Sequence, residues 1–93
     1  MKNSHNIYLI SDSTGETLDR IFLALKAQFE SFDYQINQFS FTRTETQIKK
    51  IIEKAATNKN SIILYTIVNS KLAKFLAEES NKKNIPCFGV LGD

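Results

Sequence analysis

Ile7-Tyr8-Leu9-Ile10-Ser11-Asp12-Ser13-Thr14-Gly15-Glu16-Thr17 changes character once, at Ser11. Before it runs a continuous apolar segment, β-branched and aromatic, which fits a strand buried on both faces. After it come small hydroxyl residues and a glycine. Ser13 and Glu16 stand at capping-box spacing, which places a helix start there. Leu18, Ile21, Phe22, Leu25 and Phe29 then recur at helical spacing and give one apolar stripe. Strand, polar turn and amphipathic helix in succession form the opening of a βαβ unit.

The rest of the chain repeats the alternation. Tyr34-Gln35-Ile36 and Phe39-Ser40-Phe41 alternate locally but out of phase, which predicts a half-buried outer strand with a bulge or bend. Thr44-Glu45-Thr46-Gln47 is a second capping box, followed by the stripe Ile48, Ile51, Ile52 and Ala55. Ser61 to Val68 is apolar nearly throughout and reads as a central strand. Asn69 or Ser70 caps a third helix with Leu72, Phe75 and Leu76 on its buried face. Ile85 to Leu91 is a last strand, with Pro86 at its start, where a missing N–H is tolerated. The order βαβαβαβ implies a parallel sheet with right-handed helical crossovers, hence a three-layer α/β sandwich of Rossmann-like or flavodoxin-like type. The expected strand order is 2-1-3-4, with the weakly apolar second strand at one edge.

Composition bounds the function classes. The 93 residues are one domain's worth of chain, so residues 1–93 are read as a single domain. Lys plus Arg number 12 against 10 Asp plus Glu, a net charge of +2 without a concentrated basic stripe, which argues against a nucleic-acid partner. Apolar runs fall far short of the roughly 20 residues that span a bilayer. No basic-then-apolar leader opens these residues, and the expected address is the cytoplasm. The single cysteine, Cys87, excludes an internal disulfide and any multi-cysteine zinc site, and no metal or cofactor is expected in this chain.

Ligands of open parallel sheets sit beyond the carboxyl ends of the strands, where the winding reverses. Here that is the crevice between the first and third strands, beside the loop Ser11–Thr17. Ser13, Thr14, Gly15 and Thr17 supply hydroxyls, close backbone approach and the N–H groups of a helix start, the parts of a phosphate or anion cradle. Asp12 would orient a hydroxyl or hold a cation, and Arg43, after the second strand, would reach an anion at the same edge. The same residues have a plainer use: Ser13 caps a helix with Glu16, Gly15 eases a turn, Thr44 starts the second helix and Arg43 is solvated. The carboxylates of Asp12 and Glu16 oppose a dianion. His5 reads as a solvated residue ahead of the first strand, Cys87 as a buried inert thiol, and Lys71 and Lys74 as an exposed helix face.

Several motif readings meet a departure. Thr14-Gly15-x-Thr17 is similar to the flavin-phosphate loop of flavodoxins, but Asp12 stands where that loop begins with Ser or Thr. A haloacid-dehalogenase site lacks its second Asp, and a receiver domain would want an acceptor Asp where Asn69 stands. The nucleotide loop G-x-x-x-x-G-K-[ST] does not occur in these residues.

At Ser11–Thr17 the sequence resembles the bifunctional kinase–pyrophosphorylases, the regulatory proteins of pyruvate, phosphate dikinase and of phosphoenolpyruvate synthase. Phe41-Thr42-Arg43-Thr44-Glu45 matches that family's Phe-x-Arg-Thr segment, and Leu64-Tyr65-Thr66-Ile67-Val68 its Tyr-Thr-Leu-Val strand. Ile85-Pro86-Cys87 with Leu91-Gly92 matches the close of its N-terminal region. Asn69 replaces a usual Asp, and Asp93 a usual Pro. The resemblance covers nearly the whole chain and corresponds to about the first third of such a protein. It implies an ADP-dependent kinase that phosphorylates a threonine of the dikinase or synthase, and that removes the phosphate with inorganic phosphate, releasing pyrophosphate. The family's glycine-rich nucleotide loop falls outside these residues, so the resemblance implies an inactive chain when it stands alone and leaves its catalytic base unassigned.

Two other classes stay open on sequence: a non-catalytic α/β module that binds an anion or a partner, and a minimal flavodoxin-like FMN binder. The edge strand Ile85–Leu91, apolar and blunted only by Pro86 and Gly89, is expected to drive self-association.

Overall fold

The structure, a computed structural model, describes residues 4–26, 33–58 and 60–90. The elements alternate as β1 (Ser4–Ser11), α1 (Glu16–Lys26), β2 (Asp33–Phe39), α2 (Glu45–Ala56), β3 (Ser61–Thr66), α3 (Ser70–Lys82) and β4 (Cys87–Gly89). The four strands form one parallel sheet in the order β2-β1-β3-β4, the expected α/β topology.

Alternation along β1 divides the core in two. Tyr8 and Ile10 point to a cluster with Ile48, Ile51, Ile52 and Ala55 of α2, Ile63 of β3 and Leu76 of α3. Ile7 and Leu9 point the other way, to Leu18 and Phe22 of α1. Two helices therefore cover one face and one helix the other, making three layers. Each buried isoleucine of α2 contributes about 1.5–3 kcal/mol, more than the roughly 1 kcal/mol of a helix cap. Packing holds α2 in place, and the cap sets where it begins. That cap is the Thr44–Gln47 capping box, and Asn69 caps α3 through Leu72 N–H at 2.9 Å. Within the α1 stripe, Leu18 and Phe22 are buried, while Phe29 and the side chain of Leu25 lie outside what is described.

The bulge expected in β2 does not form. Its pairing with β1 runs unbroken from Ser4 opposite Asp33 to Ile10 opposite Phe39. The two out-of-phase aromatics serve opposite layers instead. Tyr34 packs edge-on against Phe22 of α1, with ring centroids 5.7 Å apart. Phe39 stacks on Tyr8 beneath α2 at 6.1 Å. An edge strand with a layer on each face needs no bulge to change which residues are buried.

Two strands are shorter than expected. β3 ends at Thr66, and Val68 is 80% exposed rather than buried. The β3–β4 ladder covers only Cys87–Gly89, although Pro86 accepts from Ile63 N–H and Val90 donates to the Tyr65 carbonyl on either side of it. Leu91 lies outside the described residues. No helix among the described residues is long and apolar enough to cross a membrane.

Candidate functional site

Because β1 lies between β2 and β3, the loops that follow these three strands meet at one edge of the sheet. Backbone bonds lock the first two loops together: Thr42 N–H donates to the Ser11 carbonyl at 2.8 Å and Phe41 N–H to the Ser13 carbonyl at 2.9 Å. The Ser40 hydroxyl adds a bond to the Thr14 carbonyl at 2.9 Å. The third loop is tied in by Asp12, whose Oδ2 accepts Val68 N–H at 2.9 Å. Arg43 Nε donates to the Asp12 carbonyl, also at 2.9 Å. The loop after β1 is thus fixed from both sides.

The helix start differs from the expected one. α1 begins at Glu16, so Ser13 and Glu16 form no capping box. Ser13 turns back to Ser11: its N–H donates to Ser11 Oγ at 3.1 Å, and the two hydroxyl oxygens are 3.2 Å apart. The Gly15 carbonyl instead opens the helix by accepting Asp19 N–H, and Thr14 Oγ1 sits 3.4 Å from Glu16 N. Gly15 has φ +88°, in the left-handed region that favours glycine. A side chain there would also crowd Gln38 Nε2 at 2.9 Å.

The sequence candidates therefore fall into two groups. Ser13, Thr14, Gly15 and Thr17 lie on one continuous turn at the α1 N-terminus, with Gly15 buried and the three hydroxyl residues exposed. The first N–H groups of a helix lack intrahelical acceptors and carry its positive dipole end, so this turn can meet an anion. Arg43 borders it, and its two terminal Nη groups have no protein acceptor among the described residues. Asp12 acts as a clamp on Val68 N–H and through its carbonyl on Arg43, which leaves Oδ1 alone for any hydroxyl or cation. Glu16 is exposed at the first turn.

Sequence reasoning passed over Ser40, Phe41 and Val68, which hydrogen-bond to the loop after β1. Phe41 carries the clearest signal: its φ is 56°, its ring is 51% exposed, and the Arg43 guanidinium sits 5.2 Å from the ring centroid. A pocket of about 230 Å³ opens beside it, lined by Phe39, Ser40, Thr42, Gln47, Lys50 and Ile51. No group of His, Cys, Asp and Glu among the described residues converges as a metal site would.

Away from this edge, Cys87 is half-buried. Burial pushes its thiol up, partly offset by a hydrogen bond with Ser80. Tyr65 is raised as well, first by burial and then by the neighbouring Cys87. Both groups sit on β3 and β4, apart from the loop.

Comparison with known proteins gives the family of the chain. The kinase/pyrophosphorylase family model matches residues 7–93. The chain belongs to the kinase/pyrophosphorylase family. It is 60% identical over 93 residues to a protein of Pelagibacter ubique named as a pyruvate, phosphate dikinase regulatory protein, covering 100% of the chain and 34% of that relative. Similarly named proteins of Alkaliphilus oremlandii and Syntrophomonas wolfei are 44% and 39% identical, over 91% and 96% of the chain and 30% and 32% of their own lengths. The kinase/pyrophosphorylase chain in hand thus spans about a third of the relatives it matches.

Proposed function

We propose that these residues are the phosphate-handling N-terminal domain of a cytoplasmic kinase–pyrophosphorylase. The complete protein transfers phosphate from ADP to a threonine of pyruvate, phosphate dikinase or phosphoenolpyruvate synthase, and returns it to inorganic phosphate as pyrophosphate. The observation that carries the reading is the turn Ser13–Thr17. It brings hydroxyls, a buried glycine and a helix N-terminus to the carboxyl edge of the sheet, beside Arg43. Its role is to receive inorganic phosphate or the phosphorylated side chain of the partner, by N–H donation from the first turn of α1 and by Arg43.

Family membership and the regulatory-protein names of the relatives support the same reading. Phosphoryl transfer depends on positioning and neutralising the nucleotide phosphates. The G-x-x-x-x-G-K-[ST] loop does not occur in residues 1–93, so nucleotide binding is assigned to the rest of the complete protein, and these residues alone are expected to be inactive as a kinase.

The test is a chimera in which residues 1–93 replace the matching third of the Pelagibacter ubique relative. The chimera is expected to phosphorylate purified dikinase or synthase with ADP, and Arg43→Ala with Thr17→Val is expected to abolish this while ADP binding persists. A folded chimera that binds ADP and modifies neither target contradicts the proposal.

A further inference from the structure

The four successive backbone N–H groups of residues 41–44 divide between two holders. Phe41 N–H donates to the Ser13 carbonyl and Thr42 N–H to the Ser11 carbonyl, which ties these two residues to the loop after β1. Arg43 N–H and Thr44 N–H donate instead to one atom, Gln47 Oε1, at 2.7 and 3.0 Å. The same carboxamide reaches further back, its Nε2 donating to the Phe41 carbonyl at 3.3 Å. Phe41 stands at φ 56°, a backbone conformation that an aromatic residue keeps only when its surroundings over-determine it. Here those surroundings are the Ser13 carbonyl on its N–H and the Gln47 amide on its carbonyl. Arg43 is thus the first residue past the left-handed turn whose backbone is held by Gln47 and not by the loop after β1.

A capping box asks less of the residue three places after the N-cap: one acceptor for the N-cap N–H, which Glu and Gln both supply. The bonds to Arg43 N–H and to the Phe41 carbonyl are additional, and the second needs a donor, which a carboxylate lacks. The Arg43 side chain then returns to the loop after β1, with Nε on the Asp12 carbonyl at 2.9 Å and the guanidinium 5.2 Å from the Phe41 ring centroid. We propose that Gln47 is the positioning residue of Arg43. By holding the Arg43 N–H and the Phe41 carbonyl, it fixes both the arginine's backbone and the ring against which its guanidinium lies. The guanidinium is thereby ordered beside the turn before an anion arrives. This inference rests on the phosphate-turn reading only for what Arg43 meets.

The test reads the heteronuclear NOE of the Arg43 Nε–H in the isotope-labelled chain, together with the urea midpoint and the dissociation constant of inorganic phosphate. In the parent this N–H is expected to be as ordered as the backbone. Gln47→Glu keeps the cap acceptor, so its midpoint should stay near the parent's while the Arg43 signal loses its order. Gln47→Ala should lower the midpoint and lose the order as well. Ile52→Val, on the buried face of α2, should lower the midpoint and leave the signal ordered. Phosphate should bind Gln47→Ala roughly three- to ten-fold more weakly than the parent, as loss of a preorganised contact implies. Made on top of Arg43→Ala, the same substitution should weaken binding no further, because a residue that acts through Arg43 is not additive with its loss. A parent Nε–H that is already mobile, or one that stays ordered in both Gln47 variants, overturns the proposal. Order lost in Gln47→Ala alone, or in Ile52→Val too, makes it a matter of the helix cap or of overall stability and equally overturns it. So does the same loss of phosphate affinity with and without Arg43. Order lost in both Gln47 variants, with phosphate binding absent or indifferent to them, upholds Gln47 and rejects the phosphate role of Arg43.

Discussion

The Asp12 carboxylate accepts the backbone N–H of Val68 at 2.9 Å, joining the loop after β1 to the loop after β3 across 56 residues of sequence. Together with the Asp12 N–H bond to the Thr66 carbonyl at 3.3 Å, this side chain holds one side of the crevice in which a ligand would sit. It also puts a negative charge beside that ligand. Asp12→Ala is expected to cost about 1 kcal/mol, the worth of one such bond. Asp12→Asn keeps an acceptor for Val68 and removes the charge. Phosphate affinity of the Asn variant should rise roughly three- to ten-fold, as loss of one unit charge near a solvated anion implies. An unchanged or weaker affinity by isothermal titration would show that Asp12 instead helps hold the ligand.

Gly15→Ala is expected to destabilise the fold by about 1–2 kcal/mol, the penalty for a Cβ in the left-handed region. The new methyl would also press on the Gln38 amide, which donates to Asp19 at 2.8 Å. Urea denaturation of Gly15→Ala and of the double variant with Gln38→Ala separates the two causes. Backbone strain predicts that the second change restores nothing; full recovery would assign the cost to crowding.

Much of this architecture is legible in the sequence because it is local. The apolar run Ile7–Ile10, the capping box Thr44–Gln47 and the stripes of α2 and α3 each declare an element within a few residues, and their alternation gives the sheet order. The helix start at Ser13 was less legible. Ser13 has the right spacing to Glu16, but Ser11 Oγ competes for it and the helix opens at Gly15. Long-range contacts leave no local trace at all. Nothing around Asp12 announces Val68, and nothing around Phe41 announces a left-handed backbone, which Ser13 and Gln47 impose from two other segments. The phase change in β2 was visible but ambiguous, since a bulge and burial on two faces produce the same pattern.

The β4 edge separates two substitutions that look alike in sequence. Phe88 is 56% exposed, while Val90 packs against the cluster of Ile7, Leu9, Leu18 and Phe22. If the β4 edge drives self-association, Phe88→Lys should lower it and leave the fold intact, whereas Val90→Lys should unfold the domain. Light scattering over a concentration series, with circular dichroism on each variant, checks both. A parent chain that stays monomeric at high concentration would remove the edge as an association site.

Cys87 predicts a loss of stability in alkaline solution. Its thiol is raised above the ordinary value of 9.0, chiefly by burial. Between the unfolded and the folded values only the unfolded chain releases this proton, so stability holds below about pH 9 and falls as pH rises through that window. Tyr65, raised in the same sense, adds to the fall at higher pH. Urea midpoints compared between the parent and Cys87→Ala from pH 7 to pH 10 should converge as pH rises. A constant difference would mean that the thiol ionises equally in both states.

The reading of the Ser13–Thr17 turn as a phosphate seat is tested most directly by amide chemical shifts during a titration of the labelled chain with inorganic phosphate. Gly15, Glu16 and Thr17 should move most, saturably and together with the Arg43 side-chain N–H, and sulfate should compete. Shifts that are absent, or scattered over the surface without saturation, would contradict the account and leave the turn as a helix start and nothing more.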